Sequence, residues 1–106
     1  MILFKPEHVQ PIIRGKKTQT RRTGKCRWRP GSIHQAKTDF KKGSKPFALL
    51  RIVSVRQERL GDISEEDAKR EGYPSIEAYK EVFKRIYGWW DPNELVWVVD
   101  FEVVSV

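Results

Sequence analysis

The sequence contains a single cysteine, Cys26, among its 106 residues. One thiol excludes an internal disulfide and supplies too few thiolates for a zinc finger. Long apolar runs are also missing, since none reaches the length of about 18 residues that suggests a membrane-spanning helix. Lys5 interrupts the opening apolar residues before the core of a signal peptide could form. We therefore expect a soluble, cytoplasmic protein with no membrane partner.

Several signatures of cofactor chemistry are absent as well. The chain has no Walker phosphate-binding loop, no dinucleotide-binding glycine pattern and no sign of an activated serine triad. His8, His34 and Cys26 are possible metal ligands, but they lie far apart in the sequence and lack the spacing of a metal site. The sequence therefore predicts neither a cofactor nor a metal.

Charged residues make up 33% of the chain and hydrophobic residues 39%. This composition argues against disorder and allows one modest hydrophobic core inside a charged surface. A chain of this length cannot give two halves enough interior each. We therefore expect a single domain over residues 1–106.

Positive charge is concentrated in the first half of the sequence. Residues 1–50 contain 13 lysines and arginines against two acids and carry a net charge of +11, whereas residues 51–106 carry −4. Such a block of cations repels itself unless an anion lies against it, so a phosphate-bearing partner is one interpretation. The alternative is a solvated basic face, which is common in small proteins of high pI.

Apolar, β-branched and threonine-rich runs predict five strands. They are expected at residues 2–4, 17–22, 32–38, 47–55 and 95–106. Strands that are interrupted by helices, with a strand at each end, predict a small mixed β-barrel or half-barrel decorated by helices.

Capping patterns predict the helices. A short early helix begins near Pro6 or near Gln10, since a proline is tolerated in the first turn. In the second half, Ser64 caps a helix that ends near Glu71. Ser75 caps a further helix, which has one apolar stripe and stops at Gly88.

The densest cluster of functional side chains is the segment GKKTQTRR at residues 15–22. It contains a glycine, a lysine two positions later and an arginine five positions beyond that, namely Gly15, Lys17 and Arg22. Trp97 to Glu102 add a terminal strand of the type W-x-x-x-F-E. With the order of helices and strands between them, these features resemble the ASCH domain of the PUA-like superfamily.

This resemblance implies an α+β fold, a PUA-like small mixed β-barrel with two or three helices outside it and a cleft between barrel and helices. It also implies RNA or a modified nucleoside as the ligand. The residues that we expect to bind it are Gly15, Lys16, Arg21, Arg22, Lys25, Arg27, Trp28 and Arg29. Trp28 can stack on a base while the flanking arginines hold phosphates, or it can fold onto the barrel.

An enzyme is the alternative. Some bacterial members of the family are amidohydrolases that deacetylate N4-acetylcytidine, and their functional lysine, threonine and glutamate correspond here to Lys17, Thr20 and Glu71. A threonine becomes a nucleophile when a base takes its proton, and a lysine can be that base only if its pKa is lowered. Neighbouring cations lower this pKa and Glu71 raises it, so the sequence leaves the net direction open.

Two other interpretations need no such chemistry. The acidic second half could meet a protein partner in translation or transcription. Alternatively, the threonines are ordinary strand residues, Lys17 and Arg22 are surface charges, and Glu71 makes a salt bridge.

Strand geometry constrains the segment at residues 15–22. Side chains alternate between the two faces of a strand, and positions 17 and 20 differ by an odd number. We therefore expect Lys17 to lie in the turn after Gly15, unless a bulge intervenes. Thr18, Thr20 and Arg22 are expected to share a face.

Overall fold

The computed structural model describes all 106 residues and has five strands and three α-helices. The strands are β1 (Ile2–Leu3), β2 (Gln19–Arg22), β3 (Ile33–Lys37), β4 (Ala48–Arg59) and β5 (Leu95–Ser105). The α-helices are α1 (Val9–Ile13), α2 (Glu65–Arg70) and α3 (Ile76–Tyr87), and short 3-10 helices cover Pro6–His8 and Leu60–Asp62. The α+β class is therefore confirmed.

All five strands form one sheet in the order β1-β3-β4-β5-β2. β1 runs parallel to β3, and the other neighbours are antiparallel. The long central strands β4 and β5 pair with Ile52 opposite Phe101 and Val55 opposite Val99. The edge strands β1 and β2 do not pair with each other, so the sheet is a half-barrel that is open along a seam between them.

Both faces of β5 are buried because side chains alternate along a strand. Val99 and Phe101 face the inside of the half-barrel and pack in one cluster with Phe4 and Ile12. Val96 and Val98 point the other way and pack in a second cluster with residues of α3, including Phe83. The helices therefore cover the half-barrel beside the seam.

The expected helix signals are confirmed at the caps. The hydroxyl of Ser64 accepts a hydrogen bond from the Asp67 amide at 3.1 Å, and Gly88 ends α3 with a left-handed φ of 79°. The early helix begins at Val9, between the two expected starts. Pro11 fits within its first turn, where amide groups lack intrahelical partners anyway. None of these helices has the length and apolar character needed to cross a membrane.

β2 is shorter than expected because its first two predicted residues bond elsewhere. The Lys17 amide donates to the Pro11 carbonyl at 3.0 Å and the Thr18 amide to the Arg70 carbonyl at 2.8 Å. Lys17 thus lies in the turn after Gly15, as strand alternation required. Thr20 and Arg22 share a face, also as expected, because the Arg22 Nε atom donates to the Thr20 hydroxyl at 3.2 Å.

Candidate functional site

A cavity of about 360 Å³ lies in the seam between β1 and β2. We call it the seam cavity. It is bordered by Leu3 and Phe4 at β1, by Thr20 and Arg22 of β2, and by the apolar face of α3. The cavity exists because the two edge strands are too short and too far apart in sheet order to close the barrel.

Lys17 and Glu71 form a buried ion pair at the wall of the seam cavity. Their side chains are 2% and 3% exposed, and the Lys17 Nζ lies 2.8 Å from Glu71 Oε1. The ammonium also donates to the carbonyls of Gln19 at 2.9 Å and of Glu71 at 3.0 Å. An ammonium has three protons, so all three are used within the protein.

Arg21 faces carboxylates rather than an external ligand. Its side chain has no exposed surface, and it bonds Glu71 Oε2 at 2.9 Å, Glu58 Oε2 at 2.9 Å and Asp67 Oδ2 at 3.3 Å. These partners occupy the ends of the guanidinium and leave only the buried Nε atom without a hydrogen bond. Arg21 is therefore held by carboxylates of the protein itself, and its predicted contact with RNA stays a prediction.

The pKa of Lys17 is lowered, which answers the question that the sequence left open. Burial is the largest cause, and the charges of Arg22 and Arg21 act in the same direction. Glu71 raises this pKa but does not cancel the effect of burial. Desolvation disfavours an ammonium because its charge loses the hydration that water supplies.

Thr20 is buried, but its hydroxyl does not contact Lys17 or Glu71. It accepts one hydrogen bond, from the Nε atom of Arg22 at 3.2 Å. Arg22 in turn donates through Nη2 to the Leu3 carbonyl at 2.6 Å and so bridges the two unpaired edges of the sheet. The three residues assigned to hydrolysis line one cavity, yet the nucleophile and the base are not hydrogen-bonded.

Other side chains of the seam cavity were not singled out from the sequence as site residues. His8 and Tyr73 line it, with His8 Nε2 at 2.7 Å from the Tyr73 hydroxyl. Burial raises the pKa of Tyr73 to about 12, so this hydroxyl keeps its proton at neutral pH. Phe40, which is 79% exposed, and Tyr87 lie at the rim. No local signal could have identified them, because their partners are distant in sequence.

The charge state of His8 makes the stability of the protein depend on pH. Burial, followed by the charge of Lys17, lowers the pKa of His8 from 6.5 to about 4. The unfolded chain therefore binds this proton below pH 6.5 and the folded chain only below about pH 4. Stability should accordingly fall as the pH drops through this window.

We expect the free energy of unfolding of the unmodified protein, relative to that of His8→Gln, to fall by about 1–2 kcal/mol between those two pH values, less than the full pKa shift implies because water partly screens a half-buried ring. Urea unfolding of both proteins at several pH values between 4 and 6.5 measures this difference in free energy. A difference that does not vary with pH would contradict the assignment of a neutral buried imidazole.

The family model described as the ASCH domain matches residues 1–105 of the chain. The chain belongs to the ASCH domain family. An ASCH domain from Lactobacillus crispatus JV V101 superimposes with a TM-score of 0.74 at 19% identity, over 92% of this chain and 70% of that one. The predicted resemblance is therefore confirmed, and the structural match extends it to the fold.

Two further solved structures share this fold. A protein from Enterococcus faecalis V583 matches with a TM-score of 0.67 at 20% identity, over 99% of this chain and 82% of that one. A variant of an ASCH protein from Zymomonas mobilis matches with a TM-score of 0.62 at 14% identity, over 99% and 73%. No curated protein matches the chain significantly in sequence.

In this ASCH domain the other predicted binding residues fall into two groups. Lys25, Arg27 and Trp28 line a second cavity of about 370 Å³, which we call the loop cavity. Trp28 also packs against the core, in agreement with one of its two interpretations, and its stacking on a base stays a prediction. The remaining residues line neither cavity: Gly15, Lys16 and Arg29.

Trp89 and Trp90 line neither the seam cavity nor the loop cavity. Trp90 packs against the cluster that contains Phe83, and Trp89 is exposed but contacts the same ring. Trp90 is therefore part of the core of the ASCH domain.

Proposed function

We propose that this ASCH domain binds single-stranded RNA or a modified nucleoside and takes one nucleoside unit into the seam cavity. The observation that carries the proposal is the pairing of a seam cavity that has polar and aromatic walls with unpaired cations beside it. Ligand pockets commonly combine an apolar lining with a few fixed polar groups, in volumes of about 300–1,000 Å³.

The walls of the seam cavity offer what an unstacked base needs. The hydroxyls of Thr20 and Tyr73 and the neutral imidazole of His8 can donate or accept hydrogen bonds at the base edge. Phe83 and Tyr87 offer aromatic surface on the α3 side. Recognition of RNA single strands uses this combination of stacking and hydrogen bonds to base edges.

The basic half of the chain supports the backbone contacts. Of all its cations, only Lys17 and Arg21 pair with a carboxylate. Lys25 and Arg27 are exposed, line the loop cavity and have no acidic partner. Unpaired cations beside an aromatic cavity favour a polyanionic strand over a neutral ligand.

The Lys25→Ala/Arg27→Ala double variant tests the backbone contacts. Each phosphate contact on a single strand contributes about −0.7 to the slope of log affinity against log salt concentration. Loss of two contacts should therefore make the slope shallower by about 1.4 and weaken binding of a short unstructured RNA at low salt. Fluorescence anisotropy with a labelled RNA at several salt concentrations measures both.

The matched control is Lys69→Ala/Lys84→Ala, which removes the same charge from exposed positions on the helical side. The control should keep the slope of the unmodified protein. Equal slopes in all three proteins, or no detectable binding at low salt, would mean that Lys25 and Arg27 belong to a solvated surface and do not contact RNA.

A second candidate is an amidohydrolase acting on N4-acetylcytidine or a related small amide. Two observations favour it: Lys17, Thr20 and Glu71 line the same cavity, and burial lowers the pKa of Lys17 toward that of a usable base. A general base needs a free lone pair, whereas all three protons of the Lys17 ammonium are held in hydrogen bonds within the protein. This arrangement favours a binding function over hydrolysis. Release of cytidine from N4-acetylcytidine by the pure protein tests it.

A further inference from the structure

The seam cavity and the loop cavity are neighbours with a common wall. Arg22, Phe40, Phe83 and Tyr87 line both, and the two volumes are about 360 and 370 Å³. Trp28 lines the loop cavity and not the seam cavity. The site therefore has two compartments of similar size, side by side, and not one pocket.

The two compartments differ in charge. The loop cavity is lined by four cations and no carboxylate, whereas Glu71 and Asp39 line the seam cavity. One of the four, Arg21, is held by its own carboxylates. The other three have no carboxylate partner anywhere in the chain: Arg22, Lys25 and Arg27. An anion is therefore most stable at the boundary or on the loop side.

Arg22 is fixed at this boundary. Its Nε atom bonds Thr20, its Nη2 atom bonds the Leu3 carbonyl, and the guanidinium carbon lies 5.0 Å from the centre of the Phe4 ring. The Nη1 atom has no partner in the protein and is not sealed from solvent. A guanidinium whose position is already set loses little freedom when it binds a phosphate.

We infer that the two compartments hold two consecutive nucleotides of a single strand. One base lies in the seam cavity, the next lies against Trp28 in the loop cavity, and the phosphate between them contacts Arg22. This rests on the proposed function and sharpens it, because it makes the minimal ligand a dinucleotide and not a free nucleoside.

The test compares three probes for each of the four bases: the nucleoside, its 3′-monophosphate and the matching dinucleoside monophosphate. The 3′-monophosphate carries at least as much charge as the dinucleoside monophosphate. If the dinucleoside monophosphate binds with higher affinity, the difference therefore comes from its second base. Stacking of this base on an aromatic ring should raise the affinity by about tenfold or more. Chemical-shift titrations by NMR detect even the weak binding of a nucleoside.

Two variants locate the compartments. Trp28→Ala should remove the gain of the dinucleoside monophosphate and leave the affinity for the 3′-monophosphate unchanged. Arg22→Gln should weaken both phosphorylated probes by a larger factor than the nucleoside, because only those two probes carry the phosphate that the guanidinium contacts. Because Trp28 also packs on the core, Trp28→Leu serves as a second variant that fills the space without an aromatic ring. Nucleoside binding by each variant shows that its seam cavity is intact.

The outcomes separate this inference from the proposed function. A dinucleoside monophosphate that binds no tighter than the 3′-monophosphate, or a gain that survives Trp28→Leu, would overturn the two-compartment site while nucleoside binding upholds the proposed function. Absence of binding by all probes and by a longer RNA at low salt would refute both.

Discussion

Glu71→Gln is expected to destabilise the protein by about 3–5 kcal/mol, the usual cost of removing one partner from a buried ion pair. Glu71 accepts from Lys17 at 2.8 Å and from Arg21 at 2.9 Å, and all three side chains are almost fully buried. An amide at this position leaves two cations without their shared counter-ion. Lys17 must then stay charged and unpaired or release its proton, and both cost free energy of folding.

Urea unfolding at neutral pH measures the effect. Glu66→Gln is the matched control, since Glu66 is 83% exposed and lies 3.8 Å from Arg70, and a change within about 0.5 kcal/mol is expected there. Adding Lys17→Met to Glu71→Gln should recover part of the loss, because an apolar side chain needs no counter-ion. Equal stability of Glu71→Gln and Glu66→Gln would show that the ion pair contributes nothing to the fold.

Thr20→Val is expected to separate the two candidate functions. Valine keeps the β-branched shape and deletes the hydroxyl. If Thr20 is the nucleophile of an amidohydrolase, the rate of cytidine release falls by at least about a hundredfold, since valine has no hydroxyl to attack the amide. RNA affinity should fall far less, because the hydroxyl is only one of several polar groups that line the seam cavity and Arg22 keeps its bond to the Leu3 carbonyl.

Thr18→Val is the matched control, since Thr18 lies two residues away and lines neither cavity. Deacetylation rates with N4-acetylcytidine and anisotropy with RNA should be measured on the same preparations. Full deacetylation by Thr20→Val would remove the catalytic assignment. A large loss of RNA affinity in Thr20→Val would instead mean that the hydroxyl contacts the bound base.

Lys17→Arg keeps the positive charge but is not a conservative substitution in the folded protein. Exposed ion pairs contribute at most about 1 kcal/mol. This small value does not apply to Lys17, because its side chain is 2% exposed and bonds three acceptors. Gly72 packs beside its aliphatic chain so closely that a Cβ at Gly72 would lie 3.5 Å from the Lys17 Cβ. A guanidinium is larger than an ammonium and cannot keep the same bonds to these three acceptors, so the variant would report on folding and function together.

The sequence alone was sufficient for features that depend on neighbours a few positions apart. The caps at Ser64 and Ser75, the stop at Gly88 and the long strand β5 all follow from local spacing. The turn position of Lys17 follows from strand alternation in the same way. These features are local because hydrogen bonds of a cap or a turn join residues within about four positions.

Only the tertiary structure decided which side chains meet at the site. Lys17 and Glu71 are 54 positions apart, and His8 and Tyr73 are 65 apart. The seam itself depends on the order of the strands, which places β1 and β2 at opposite edges of the sheet. Burial of Arg21 among carboxylates likewise depends on how α2 packs beside β2. No local pattern encodes these contacts, because they form between distant segments that only the packed half-barrel and helices bring together.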